Sequence, residues 1–196
     1  MVCAILDGRK TQTRRVVKPQ PTAAHHFVGF TVSSTHTADE GKAVWARGPA
    51  AALLTDAHRV RCPYGAPGSK LWVRETWNGP FFTEDEAADV DDMRVFKVPE
   101  RCKYKADGAP TPEYMDADDN LVCKWRPSIY MPRWASRITL EITAVRVELL
   151  GIISHEDALA EGVSNVDEYK ELWTKIKGTW SPETWVWVVD FRLVSN

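Results

Sequence analysis

Apolar and polar positions alternate most regularly in SRITLEITAVRVELL, residues 136 to 150. Ile138, Leu140 and Ile142 share one face of a predicted strand there, and Val145, Val147 and Leu149 hold the apolar positions beyond Ala144. Side chains on a strand repeat with a period of two, so this change of parity predicts a bulge or sharp bend near Thr143 and Ala144. TWVWVVDFRLV, residues 184 to 194, reads as a buried strand that ends the chain. CPYGAPGSKLWVRETW places turn residues directly before an alternating segment, with Leu71 and Val73 on one face and Trp72 and Arg74 on the other. FVGFTV (27–32) and KAVWA (42–46) predict the two strands of a hairpin.

The 3.6-residue period appears in shorter stretches. Val2 to Leu6 reads as the end of a short helix, with Gly8 suited to the left-handed conformation after it. SHEDALAEG starts a helix at Ser154, with Asp157 completing a capping box, and stops it at Gly162. VDEYKELWTKI aligns Val166, Tyr169, Leu172, Trp173 and Ile176 on one helical face. Several strands and a few short helices, without βαβ alternation, predict one α+β domain over residues 1–196, built on a small β-barrel. Two stretches interrupt it, at about 18–62 and 78–126. The first reads as an excursion, and the second as a long, mostly exposed insertion with short pieces of structure such as CKYKA. Within the second, residues 84–92 hold six acids in nine positions and little apolar surface, which predicts mobility.

Composition narrows the function classes. A net charge of −2 over 196 residues argues against a general nucleic-acid coat, so affinity for a polyanion must come from a local patch. Cys3, Cys62, Cys102 and Cys123 lack metal-ligand spacing and read as reduced thiols. No metal site is expected. The five-residue apolar run after Met1 is too short for a signal sequence or a membrane span, which predicts a soluble cytoplasmic protein with no membrane partner.

Candidate chemistry concentrates in GRKTQTRR, residues 8 to 15, which surrounds Thr11 and Thr13 with Arg9, Lys10, Arg14 and Arg15. Lys10 and Thr13 are three apart, so a turn-like basic loop brings both side chains to one side, whereas a straight strand points them apart. A threonine hydroxyl needs a base to become a nucleophile, and a lysine serves as base only when burial or neighbouring cations lower its pKa. The same run also suits a solvated or phosphate-binding patch. Glu161 stands at the end of the short helix, where the helix dipole disfavours a negative charge. A surface glutamate tolerates that position; the alternative is a carboxylate held towards a cationic pocket.

ILDGRKTQTRR, PGSKLWVRETW, ISHEDALAEGV and the final WVWVVDFRL, together with WRPSIYMPRWASRITLE, resemble the ASCH domains of the PUA-like superfamily, in particular phage and prophage members with long insertions. The resemblance implies a small PUA-like β-barrel with flanking helices and a cleft facing the basic loop. Some bacterial ASCH proteins are amidohydrolases of N4-acetylcytidine that use a lysine, a threonine and a glutamate. Lys10, Thr13 and Glu161 match those positions, as base, nucleophile, and acid or positioning group. Arg9, Arg14, Arg74, Glu75 and Trp77 are the residues expected to bind a small nucleoside substrate, and no cofactor is expected. Trp125, Tyr130 and Trp134 are further aromatic candidates for stacking on a base. The alternative is a non-catalytic PUA-like module that binds RNA or a modified nucleotide in the same cleft; a third reading is a phage factor that targets a host protein. The chain departs from the family in lacking a strand before the first helix, in its two insertions, and in placing Arg14 directly after Thr13.

Overall fold

Residues Gln12–Val16 form β1, a strand whose sequence QTRRV has no apolar period, and it pairs antiparallel with β11 (Trp185–Val194) in the register Gln12↔Asp190 to Val16↔Val186. The computed structural model describes residues 1–48, 57–115 and 120–194. β1 is the edge of a curled four-strand antiparallel sheet with the order β1, β11, β10 (Thr139–Leu149) and β5 (Lys70–Trp72), so the architecture is a mixed α+β fold with a half-barrel sheet. The described residues divide into two compact units, one mainly Cys3–Lys70 and Glu141–Arg192, the other mainly Leu71–Leu140.

In the first unit β11 is covered on both faces. Val186 and Val188 pack with Leu150, Ile153, Ala158, Tyr169 and Trp173 from the segment that carries α3 (His155–Ala160) and α4 (Val166–Lys177). α3 begins at Ser154 with the capping box to Asp157, and Gly162 follows it at φ +85°. On α4 the predicted face holds for Tyr169 and Trp173, but Ile176, in the last turn, is 61% exposed. Trp187 points the other way, to Trp45 at 6.4 Å between ring centroids. Trp45 lies on β3 (Lys42–Ala46), the centre of a three-strand sheet with β2 (His26–Phe30) and β4 (His58–Arg61). The predicted hairpin is present, and it contributes buried residues to this unit. Trp45 is fully buried, and Phe27 stands 5.4 Å from it and 6.0 Å from Trp185. An apolar hairpin reads the same in sequence whether it lies on a core or forms part of one.

β10 shows the predicted change of parity in its burial. Leu140 and Ile142 are buried, Thr143 and Ala144 are exposed, and Val147 is buried next. Arg146 and Glu148 therefore turn to the face opposite Val147.

The second unit has its own small core of Trp77, Tyr104, Met131 and Ala135. β6 (Trp77–Asn78) pairs with β7 (Lys103–Tyr104), β8 (Glu113–Met115) pairs with β9 (Leu121–Cys123), and the Tyr104 hydroxyl donates to the Ala135 carbonyl at 2.8 Å. The acidic run opens as α2 (Glu84–Ala88), capped by a Thr83–Glu86 box. Its three first-turn acids suit the positive end of the helix dipole, which is the physical reason this acidic run holds a turn of helix. The four cysteines are free. Among the described residues, no helix is long and apolar enough to cross a membrane.

Because Trp45 is enclosed by aromatic rings, Trp45→Ala should lower the free energy of unfolding by about 3–5 kcal/mol, read by chemical denaturation. A loss under about 1 kcal/mol would remove Trp45 from the core.

Candidate active site

Lys10 and Glu161 meet through two helix ends. α1 (Val2–Leu6) is followed by Gly8 at φ +71°, and the chain then doubles back so that the Lys10 amide donates to the Ala4 carbonyl at 2.8 Å. Glu161 is the C-cap of α3. A Cβ on Gly162 would stand 3.1 Å from the Lys10 Cβ and 3.2 Å from the Ala4 Cβ, in a backbone conformation that L residues rarely adopt. The glycine thus allows the close approach. Lys10 Nζ donates to the Glu161 carboxylate Oε2 at 2.6 Å and to the Glu161 carbonyl at 2.8 Å. One ammonium answers both charges at that helix end, which removes the dipole penalty on Glu161.

The other carboxylate oxygen completes the strand edge. β11 occupies one side of β1, and on the other side the Arg14 amide donates to Glu161 Oε1 at 2.5 Å. The Tyr169 hydroxyl reaches the same oxygen at 3.4 Å. Burial pushes the Tyr169 phenol well above its ordinary pKa, and the Glu161 charge adds to that, so it stays a donor.

The Arg14 side chain is fully enclosed. It lies 2.9 Å from Asp157 and 3.1 Å from Glu148, and it donates to the Gln12 side-chain oxygen. Gln12 in turn donates to Asp157 and Asp190, and Arg146 ties together Glu148, Asp157 and Asp190 at 2.6, 2.9 and 2.5 Å. Burial alone would raise the Asp157 carboxyl, but the Ser154 amide, the Arg14 charge and Gln12 outweigh it and hold its pKa below the ordinary 3.8. For Lys10, burial is the largest influence and lowers the ammonium pKa from 10.5; Glu161 pulls it upwards, and Arg15 and Arg14 add to the lowering.

The basic segment is not a loop throughout. β1 starts at Gln12, and strand alternation turns Thr13 and Arg15 to the face opposite Gln12 and Arg14. Thr13 is half-buried, and its Oγ1 accepts a hydrogen bond from Arg15 Nη1 at 2.5 Å. No hydrophobic period marks this strand, because its inward positions are filled by a glutamine and an arginine that are satisfied by acids far away in sequence. Arg9 is exposed and paired with Asp7 at 2.8 Å. Arg74, Glu75 and Trp77 belong to the second unit. Arg74 lies over the Trp72 ring and is exposed; Glu75 is buried and holds Arg137 through two 3.0 Å bonds; Trp77 is buried against Trp134. Tyr130 is 73% exposed. Among the described residues, no group of three or more His, Cys, Asp or Glu converges on a metal position.

Sequence reasoning did not identify Gln12, Arg146, Glu148, Asp157, Tyr169 and Asp190 as site residues. Their signals were charges inside apolar strands, as at Arg146 and Asp190, and a cap residue, Asp157, whose second oxygen serves the cluster.

Removing one partner of a buried ionic cluster leaves the others uncompensated. Arg14→Ala should therefore cost about 3–5 kcal/mol of stability by denaturant titration. Because the Asp157 pKa is depressed, that carboxylate stabilises the fold above its ordinary pKa of 3.8, and its contribution is lost as pH falls through the lower folded value. An Asp157→Asn protein should show a weaker acid dependence; an unchanged acid limb would sever Asp157 from the cluster.

No protein-family model, no curated protein and no solved structure matches this chain.

Proposed function

We propose that this protein is an amidohydrolase of the ASCH, PUA-like type that removes an acyl group from an N4-acylated cytosine nucleoside or base. In this reading the curled sheet is the PUA-like barrel, and Lys10, Thr13 and Glu161 carry the chemistry. The observation behind it is the buried contact of Lys10 with Glu161, which are 151 positions apart, together with the bond from that same carboxylate to the backbone next to Thr13.

The contact suits a lysine base. A neutral amine has two N–H bonds and one lone pair. Glu161 offers Lys10 two acceptors, its carbonyl and Oε2, so the neutral form satisfies both and keeps the lone pair free. Burial supplies the lowered pKa that makes this form accessible. Lys10 then takes the hydroxyl proton as Thr13 Oγ1 attacks the acyl carbonyl carbon, and the resulting ammonium returns a proton to the cytosine N4 as the C–N bond breaks. Water hydrolyses the threonine ester and releases the acid. The Arg15 guanidinium, whose Nη1 donates to Thr13 Oγ1, stands beside the point of attack and stabilises the negative charge that develops on the acyl carbonyl oxygen.

The second reading is a non-catalytic module for RNA or a modified nucleotide. It draws support from the fact that Thr13 and Lys10 both have hydrogen-bond partners in the resting structure, as a purely structural strut would have.

Thr13→Ala should abolish release of cytidine from N4-acetylcytidine while leaving the melting temperature nearly unchanged, since Thr13 is only half-buried. Equal turnover in that variant would exclude Thr13 as nucleophile and favour the binding module. The pH–rate profile tests the pair. Glu161 raises the Lys10 pKa, so Glu161→Gln should move the rising limb to lower pH while the maximum rate falls. Full activity with an unshifted profile would refute the triad.

A further inference from the structure

A cavity of about 580 Å³ opens in the first unit, lined by Arg15, Lys18, Arg61, Lys177, Tyr64 and Trp173, with the hydroxyls of Thr179, Ser181 and Thr184. No Asp or Glu is among the described residues that line it. The side-chain ammonium groups of Lys18 and Lys177 have no hydrogen bond or ion pair to any described residue. Arg61 is anchored by the carbonyls of Ala38 and Glu40, at 2.9 Å each. Converging like charges repel one another and raise the local positive potential, an arrangement whose natural complement is an anion.

We propose that this cavity binds the terminal phosphate of a mononucleotide. Its volume is that of a small-molecule pocket, so it takes one nucleotide more readily than a polymer. A terminal phosphate ester carries about −1.5 to −2 charge at neutral pH and three acceptor oxygens, which the lysines and the three hydroxyls can meet. Tyr64, which is half-buried, brings aromatic surface for the base. The carboxyl end of α4 opposes an anion here, yet a helix end carries only about half a charge against the full charges of Arg15, Lys18, Arg61 and Lys177. Arg15 links the cavity to the Thr13 hydroxyl, since its Nη1 donates to Thr13 Oγ1 at 2.5 Å. The choice of cytosine as the base rests on the hydrolase reading; the phosphate site does not. If both hold, the substrate is an N4-acylated cytidine monophosphate rather than the free nucleoside.

Binding should be measured by calorimetry at low salt on the full chain, with cytidine 5′-monophosphate, cytidine, adenosine 5′-monophosphate and a short oligoribonucleotide without a terminal phosphate. Cytidine 5′-monophosphate should bind at least about a hundredfold more tightly than cytidine, about tenfold for each of the two lysines. Lys18→Ala and Lys177→Ala should each remove about a tenfold share of that affinity without altering the melting temperature or cytidine binding. The preference should weaken in high salt. Equal affinity for the nucleotide and the nucleoside, or unchanged nucleotide affinity in both lysine variants, would overturn the proposal. Tighter binding of the oligoribonucleotide than of the mononucleotides would overturn it in favour of a polymer groove. The two readings fail separately. Tight, lysine-dependent binding of both monophosphates without hydrolysis in any assay leaves the phosphate site standing and removes the hydrolase. Turnover of N4-acetylcytidine with no preference for phosphate does the reverse.

Discussion

The first unit depends on a guanidinium buried where a hydrophobic side chain would ordinarily lie. Arg14 sits beneath α3 with no exposed side-chain surface, and its charge is answered by Asp157, Glu148 and, more distantly, Glu161. A charge in that position is tolerable only if each partner is held in place, because desolvation costs several kcal/mol per ion and good geometry alone offsets it. The surrounding elements supply that geometry. α3 brings Asp157 and Glu161, β10 brings Arg146 and Glu148, and β11 brings Asp190 opposite Gln12. The cluster therefore fixes how the edge strand, the helix and the central strands meet.

Glu161 joins this framework to the proposed chemistry. Its carboxylate caps the open edge of β1 through the Arg14 amide and holds Lys10 on the other oxygen, while Tyr169 donates from α4. A side chain with so many fixed partners has little freedom to move, and a base held by such a group is oriented before a substrate arrives. The same burial that keeps the pair rigid lowers the Lys10 pKa, so structural and chemical consequences follow from one desolvation. Thr13 and Arg15 lie on the face of β1 opposite Gln12 and Arg14, and Arg15 reaches from Thr13 to the cationic cavity. A five-residue strand thus presents two different environments to its two faces.

Much of the fold is legible in the chain where local rules act alone. Ser154 and Asp157 form the predicted box, Gly8 and Gly162 take positive φ after their helices, and the parity change in β10 falls at Thr143 and Ala144. Legibility fails at QTRRV. Its buried positions are polar, and periodicity registers burial only when buried residues are apolar. It fails also at Trp45, because an aromatic hairpin carries no sign of what covers it. The identity of Lys10, Thr13 and Glu161 as candidates was reached from their residue types and a family resemblance. Their partners were not, since Arg146, Glu148 and Asp190 look like ordinary solvent-facing interruptions of strands.

What the sequence by itself determined are the features set within a few residues: the helix caps, the turn glycines, the apolar strands β10 and β11, and a basic run with a lysine and threonine inside it. Tertiary structure alone decided which charges are buried and what they touch. Lys10 gains its depressed pKa chiefly from the enclosure that α1 and α3 create around it, and Arg14 becomes an interior residue only because acids from β10 and from α3 and its cap arrive beside it. The physical reason is range: caps and turns are satisfied by neighbouring backbone, whereas the desolvation and Coulomb energies of a buried ion are set by groups that may be 151 positions away along the chain.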